Sequence, residues 1–268
     1  MAKFRSTLVF LHIPKAAGST LDSLLAQRFD PARTLTIRNS VKQIEELKAL
    51  SGEERAKLDL IKGHFPYGIH EHLPRPCEYI TMLRDPVERM ISHYYYVLRT
   101  RGHYLHELVT TKGIGLKDYA VGGLSEELDN GQVRLISGCG RRPPYGACSR
   151  EFLELAKQNL RERFALVGLA ERFDETVLLI ARRFGWEEPY YIRRNVTENR
   201  PALEDVAPDV IDAIRKVSGL DLELHAFAQT LFGASLRRQT GLLFKFELAR
   251  FRANNTKYSR SMEIAAAS

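Results

Sequence analysis

Short apolar runs alternate with amphipathic stretches along most of this chain, and the alternation predicts strands interleaved with helices. Thr7 to Ile13 is rich in apolar and β-branched residues, the pattern of a short buried strand. A polar turn follows, and then Leu21, Leu24 and Leu25 fall on one face of a helix. Thr34 to Arg38 reads as a second strand. The stretch from Ser40 to Lys62 starts as a polar helix that carries Val41, Ile44, Leu47 and Leu50 at helical spacing, and it ends in the short apolar run Leu58 to Ile61. Glu78 to Leu83 is the next strand. It leads into Arg84-Asp85-Pro86-Val87-Glu88, with Asp85 at the N-cap, Pro86 at the first helical position and Glu88 at the third. The helix to Arg99 sets Val87, Ile91, Tyr94, Tyr95 and Leu98 largely on one side.

Residues 100 to 150 are less regular, with glycine and proline clusters at Gly122-Gly123, Gly138 to Gly140 and Pro143-Pro144. Loops carry recognition more often than frameworks do, so acceptor-binding elements are expected here. Glu151 to Arg163 reads as helix, Phe164 to Leu169 as a late strand, and Arg172 to Phe184 and Asp209 to Leu231 as further helices. The order implies an α/β fold with a central, mainly parallel sheet flanked by helices. Two units are expected: a main domain over 1–235, and a basic amphipathic extension over 236–268 packed on it. The extension carries Phe244, Phe246, Leu248 and Phe251 among Lys245, Arg250 and Arg252, and so also fits a peripheral membrane contact.

Composition narrows the chemistry only slightly. Forty Lys and Arg against 33 Asp and Glu leave a formal charge of +7 on 268 residues, which suits a chain that handles anions. Three cysteines, Cys77, Cys139 and Cys148, form no C-x-x-C pair and give no support to a zinc site or a disulfide framework. The first apolar run is too short to span a bilayer and lacks the small-residue cleavage site of a signal peptide, so a cytoplasmic location is expected. No nucleic-acid partner is expected, and the sequence does not set the oligomeric state.

The turn His12-Ile13-Pro14-Lys15-Ala16-Ala17-Gly18-Ser19-Thr20 is the strongest chemical signal. A strand entering a tight turn that opens a helix aims backbone N–H groups and the helix dipole at whatever lies in front of it. Gly18 allows close approach, Ser19 and Thr20 add hydroxyls, and Lys15 adds a full charge. A Walker A loop carries its lysine after the final glycine, in G-x-x-x-x-G-K-[ST]. Here Lys15 comes three residues before Gly18 and no glycine opens the loop, which weakens a nucleotide-kinase or NTPase reading.

This turn resembles the 5′-phosphosulfate loop of sulfotransferases that use 3′-phosphoadenosine 5′-phosphosulfate (PAPS), with Ala16 where threonine is common. In that family the 3′-phosphate is gripped by an arginine ending a strand and a serine in the next helix. The segment Arg84-Asp85-Pro86-Val87-Glu88-Arg89-Met90-Ile91-Ser92-His93-Tyr94 is similar to the family's R-D-P-x-x-R-x-x-S-x-Y pattern. The resemblance implies a P-loop-like three-layer fold and PAPS as donor. Lys15, Ala16, Ala17, Gly18, Ser19, Thr20, Arg84 and Ser92 would then contact the donor, and no metal would be required. Arg89 is expected to pair with a carboxylate instead. Arg193 to Pro201 is similar to the loop that closes over the nucleotide, which adds Thr197 and Asn199 as donor contacts.

Transfer to a hydroxyl also needs a base. His64, in Gly63-His64-Phe65-Pro66-Tyr67, resembles the basic histidine of the heparan and uronyl 2-O-sulfotransferase branch. An imidazole, with an ordinary pKa of about 6.5, suits that task. Catalysis is therefore expected from His64 as base and Lys15 as stabiliser of the leaving bisphosphate. The acceptor is expected to be a carbohydrate, anionic or lipid-linked. Two rivals stay open: a magnesium-dependent P-loop kinase or NTPase, and a non-catalytic nucleotide-binding scaffold on the same fold.

Overall fold

The run Thr7–Leu11 forms β1, and all five of its residues are buried. It lies at the centre of a five-stranded sheet in the order β2 (Thr34–Ile37), β3 (Leu60–Gly63), β1, β4 (Cys77–Leu83) and β5 (Phe164–Leu169). Every pairing is parallel, with Leu8 opposite both Leu60 and Glu78. The structure, a computed structural model, describes residues 6–38, 40–187, 189–194, 201–239 and 242–267.

The helices among the described residues are α1 (Gly18–Ala26), α2 (Ser40–Ala49), α3 (Gly52–Ala56), α4 (Pro86–Arg99), α5 (His106–Thr111) and α6 (Leu116–Val121). After these come α7 (Gly131–Ser137), α8 (Arg150–Glu162), α9 (Phe173–Phe184), α10 (Pro208–Val217), α11 (Gly219–Gln239) and α12 (Leu242–Ala267). The main core joins the sheet to apolar faces of flanking helices, including Leu21, Leu24 and Leu25 of α1 and Val177 and Ile180 of α9. Each such side chain contributes about 1.5–3 kcal/mol by leaving water. A second core lies between α4 and α10, around Met90, Ile91, Tyr119 and Ile214.

Three stretches differ in detail from the expectation. The stretch from Ser40 to Lys62, expected to open as a polar helix and to end in an apolar run, is α2, α3 and the strand β3. Ser51 restarts the helix: its hydroxyl accepts from Glu54 N at 3.2 Å, and the Glu54 carboxylate accepts from Ser51 N at 2.8 Å. Ile61 and its neighbours then extend because β1 and β2 lie on either side of them. The second difference is the break between α10 and α11 at Ser218. There the Asn130 side chain accepts from Leu220 N and Asp221 N at 2.9 and 3.0 Å, and Asp221 accepts from Gln132 N and Val133 N at 3.2 and 2.8 Å. The starts of α7 and α11 thus cap each other across some ninety residues of sequence. The third concerns the tail: Phe244 and Phe251 are buried, whereas Phe246 is exposed on the opposite side of α12. That helix lies on α9 and the segment that follows it: Arg252 donates to Asp174 at 2.8 Å, and Asn255 accepts from Tyr191 N at 2.7 Å.

The topology positions the site. Because the strands are parallel, the segments that follow Leu11, Gly63, Leu83 and Leu169 emerge at one edge of the sheet. The chain also changes sides at β1, having β3 on one flank and β4 on the other, and ligands bind at such switch points.

Candidate active site

Between β1 and α1 the backbone of Lys15 and of Ala17 takes positive φ, 65° and 59°. For residues with a Cβ this costs roughly 1–2 kcal/mol each, and such strain concentrates at functional sites. Ala17 is the N-cap of α1 and offers no capping side chain, and the first turn of the helix lines a cavity of about 540 Å³. Gly18 is required, but for a reason the motif did not show. A Cβ there would lie 2.1 Å from Cδ2 of the His12 ring, so the close approach is made by that imidazole. Ala16 departs from its expected role: its side chain is fully buried in the core, and its N–H is directed to Ile13 O at 3.3 Å. Lys15, Ala17, Gly18, Ser19 and Thr20 line the cavity.

Arg84 and Ser92 line the same cavity from the far side. The Arg84 guanidinium donates to Lys15 O at 3.2 Å and to Glu88 at 2.8 Å. Its backbone is held at both ends by Gln132, which accepts from Arg84 N at 3.0 Å and donates to Arg84 O at 2.9 Å. The expected capping box is half formed. Asp85 accepts from Glu88 N at 3.0 Å, but Asp85 N donates to Glu171 at 2.6 Å while Glu88 serves Arg84. Arg89 does pair with a carboxylate, lying buried 3.7 Å from Asp221.

Lys15 is packed against aromatic and basic neighbours. Its ammonium sits 4.1 Å from the centre of the Tyr96 ring. Burial, then the charges of Arg99 and Arg84, push its pKa down to about 8. Arg193 and Arg194 complete the wall, with Arg194 N donating to the Thr20 hydroxyl at 3.0 Å. The proposed contacts Thr197 and Asn199 lie outside the described residues.

His64 follows β3 and is exposed at the cavity mouth. Its Nδ1 lies 2.8 Å from the carbonyl oxygen of His12. A carbonyl can only accept, so Nδ1 carries a proton, and the tautomer this selects for the neutral ring has its lone pair on Nε2. The His12 ring stacks on Phe10 and lies 4.4 Å from the His64 ring, centre to centre. Burial, and then the charges of His64, Lys62 and Lys15, hold His12 well below the ordinary histidine pKa and so neutral.

A second cavity, of about 690 Å³, shares Pro14 and His64 with the first. It is walled by residues 126–142, within the irregular region where acceptor elements were expected, and by Arg38. Arg134 is bound to Asp129 and to the Pro143 and Pro144 carbonyls, and Arg89 to Asp221, whereas Arg38, Arg141 and Arg142 reach solvent. No spacing rule singles out these three arginines; only the fold assembles them. The fold also gathers His93, His103 and Glu127, whose ligating atoms lie within 4.8 Å of one another and could hold a metal. Hydrogen bonds already engage the trio, from Tyr104 OH to Glu127, between His93 Nδ1 and Tyr119 OH at 2.6 Å, and from Leu105 N to His103 Nδ1 at 3.3 Å.

The profile of the sulfotransferase family matches residues 2–228. The chain belongs to that family. Within the family it is similar to heparan sulfate 2-O-sulfotransferase 1 of Gallus gallus, 25% identical over 75% of this chain and 64% of the chicken protein. It is also similar to heparan-sulfate 6-O-sulfotransferase 1 of Homo sapiens, 31% identical over 59% of this chain and 44% of the human protein. The chain thus spans less than two thirds of the length of these relatives. Among solved structures, a mouse sulfotransferase complexed with PAP aligns over 82% of this chain and 67% of that one, at 14% identity and a TM-score of 0.40. Among the described residues, no helix is long and apolar enough to cross a membrane.

Proposed function

We propose that this chain transfers a sulfonate group from PAPS to a hydroxyl of a carbohydrate acceptor, the donor filling the cavity under Lys15 and the acceptor filling its neighbour. The observation that carries this reading is the place of His64. It stands on the boundary of the two cavities, with Nδ1 committed to His12 O and Nε2 left as a base. The acceptor oxygen attacks sulfur in line as His64 Nε2 takes its proton. The new S–O bond forms while the bond from sulfur to the 5′-phosphate oxygen breaks. Lys15 and the open N-terminus of α1 meet the charge that grows on that leaving oxygen, and Arg84 with Ser92 holds the 3′-phosphate. Thr197 and Asn199 belong to the same proposed donor set.

The heparan sulfate relatives and the exposed Arg38, Arg141 and Arg142 favour an anionic glycan as acceptor. We read residues 1–235 as the catalytic unit and α12 as an extension lying on it. Incubation with ³⁵S-labelled PAPS and a panel of glycans should put label on a sugar hydroxyl. Magnesium-dependent hydrolysis of ATP with no labelled glycan would instead favour the kinase or NTPase reading. Cellular activity that survives His64→Ala would favour a scaffold.

A further inference from the structure

Tyr96 lies one helical turn beyond Ser92 on α4, so both side chains reach the donor cavity from one face of the helix. Its ring meets two cations, with Lys15 Nζ 4.1 Å and Arg99 Cζ 5.7 Å from the ring centre. The ring is braced in turn. His103 meets it edge to face at 5.7 Å and 86°, and Tyr104 stacks on His103 at 4.7 Å. A lysine side chain on a four-carbon stem samples many rotamers, and Lys15 shares its surroundings with Arg84 and Arg99, which repel it. The negative face of an aromatic ring is the neighbour that favours an ammonium in one place without neutralising it.

We propose that Tyr96 is a positioning residue whose ring face holds the Lys15 ammonium at the wall of the donor cavity, aimed for sulfonate transfer. This rests on the reading that Lys15 acts on the leaving bisphosphate. The contact requires the ring and not the phenol hydroxyl, so phenylalanine substitutes for tyrosine and an aliphatic residue of similar bulk does not.

The test compares Tyr96→Leu, Tyr96→Phe, Lys15→Met and the Lys15→Met/Tyr96→Leu pair in PAPS-dependent turnover. Tyr96→Phe is expected within about 2-fold of the parent, and Tyr96→Leu to lose about 3- to 30-fold in kcat, the span of a cation–π contact. Its KM for PAPS should move less than its kcat. In the Lys15→Met background, Tyr96→Leu should change nothing further. Wild-type kcat in Tyr96→Leu with Lys15→Met impaired overturns the role of Tyr96 alone. Wild-type turnover in Lys15→Met overturns the role of Lys15, and the present proposal with it. Independently of activity and of any variant's folding, reductive ¹³C-methylation of the native protein should give a Lys15 methyl signal shifted upfield by the ring current. A Lys15 signal at the position of solvated lysines overturns the proposal.

Discussion

His64 Nδ1 is hydrogen-bonded at 2.8 Å to the backbone carbonyl of His12, so one turn of chain both frames the cavity at Lys15 and selects the neutral tautomer of the proposed base. The acceptor in this bond is a main-chain atom. Replacing the His12 side chain therefore leaves the bond available, while replacing His64 removes the Nε2 lone pair outright.

His64→Ala is expected to lower kcat about 10²- to 10⁴-fold, the usual contribution of a positioned base. Binding of the bisphosphate product should persist, because the residues proposed to grip its phosphates are untouched. Calorimetric titration with the bisphosphate beside a turnover assay checks this, and full turnover would remove His64 from the mechanism.

Lys15 has a pKa pushed down to about 8, by burial first and then by Arg99 and Arg84. In the proposed mechanism the ammonium is the form that meets the leaving group, so kcat/KM for PAPS should fall as pH rises through about 8. In Lys15→Met that alkaline limb should vanish from whatever activity remains. The linked stability effect has the opposite sense: the unfolded chain keeps this proton to higher pH than the folded one, so this group's contribution to stability rises with pH above about 8. A pH–rate profile of both proteins decides the matter.

Arg84→Ala should weaken bisphosphate binding by roughly 10- to 100-fold, the value of a charge-assisted contact to phosphate. The expected signature is a smaller ligand-induced rise in melting temperature. Gln132→Ala should do the same to a lesser degree, because Gln132 holds only the Arg84 backbone. An unchanged thermal shift in Arg84→Ala would place the 3′-phosphate elsewhere.

Gly18→Ala puts a methyl group 2.1 Å from the His12 ring and should cost about 1–3 kcal/mol of stability through overpacking. His12→Ala removes the obstacle, so the double variant should be more stable than the two single losses added together predict. Additive losses in urea denaturation would show that the ring is not what makes glycine necessary.

Much of the framework was legible in the sequence because its signals are local. The run from Thr7, the caps at Asp85 and Pro86, and the strand from Phe164 to Leu169 all depend on residues within a few positions of one another. Within the stretch from Ser40 to Lys62 the sequence showed a polar helix and an apolar end, but not the helix restart at Ser51; Ile61 is extended because it pairs with distant strands. The break at Ser218 was likewise hidden, since its stabilising partner is Asn130.

The sequence alone determined that a tight turn carrying Lys15 and Gly18 joins the first strand to a helix, that Arg84 ends a later strand with Ser92 in the next helix, and that the chain resembles the sulfotransferase family. Those are properties of residue type and spacing. Only the tertiary structure decided that the His12 ring occupies the space at Gly18, that Ala16 faces the core, and that His64 donates through Nδ1 to the His12 carbonyl. It alone brought Tyr96 under Lys15, and Arg38 beside Arg141 and Arg142. The physical reason is that each of these depends on an atom supplied by another strand or loop, and a parallel sheet brings such atoms together only when all its crossovers are in place.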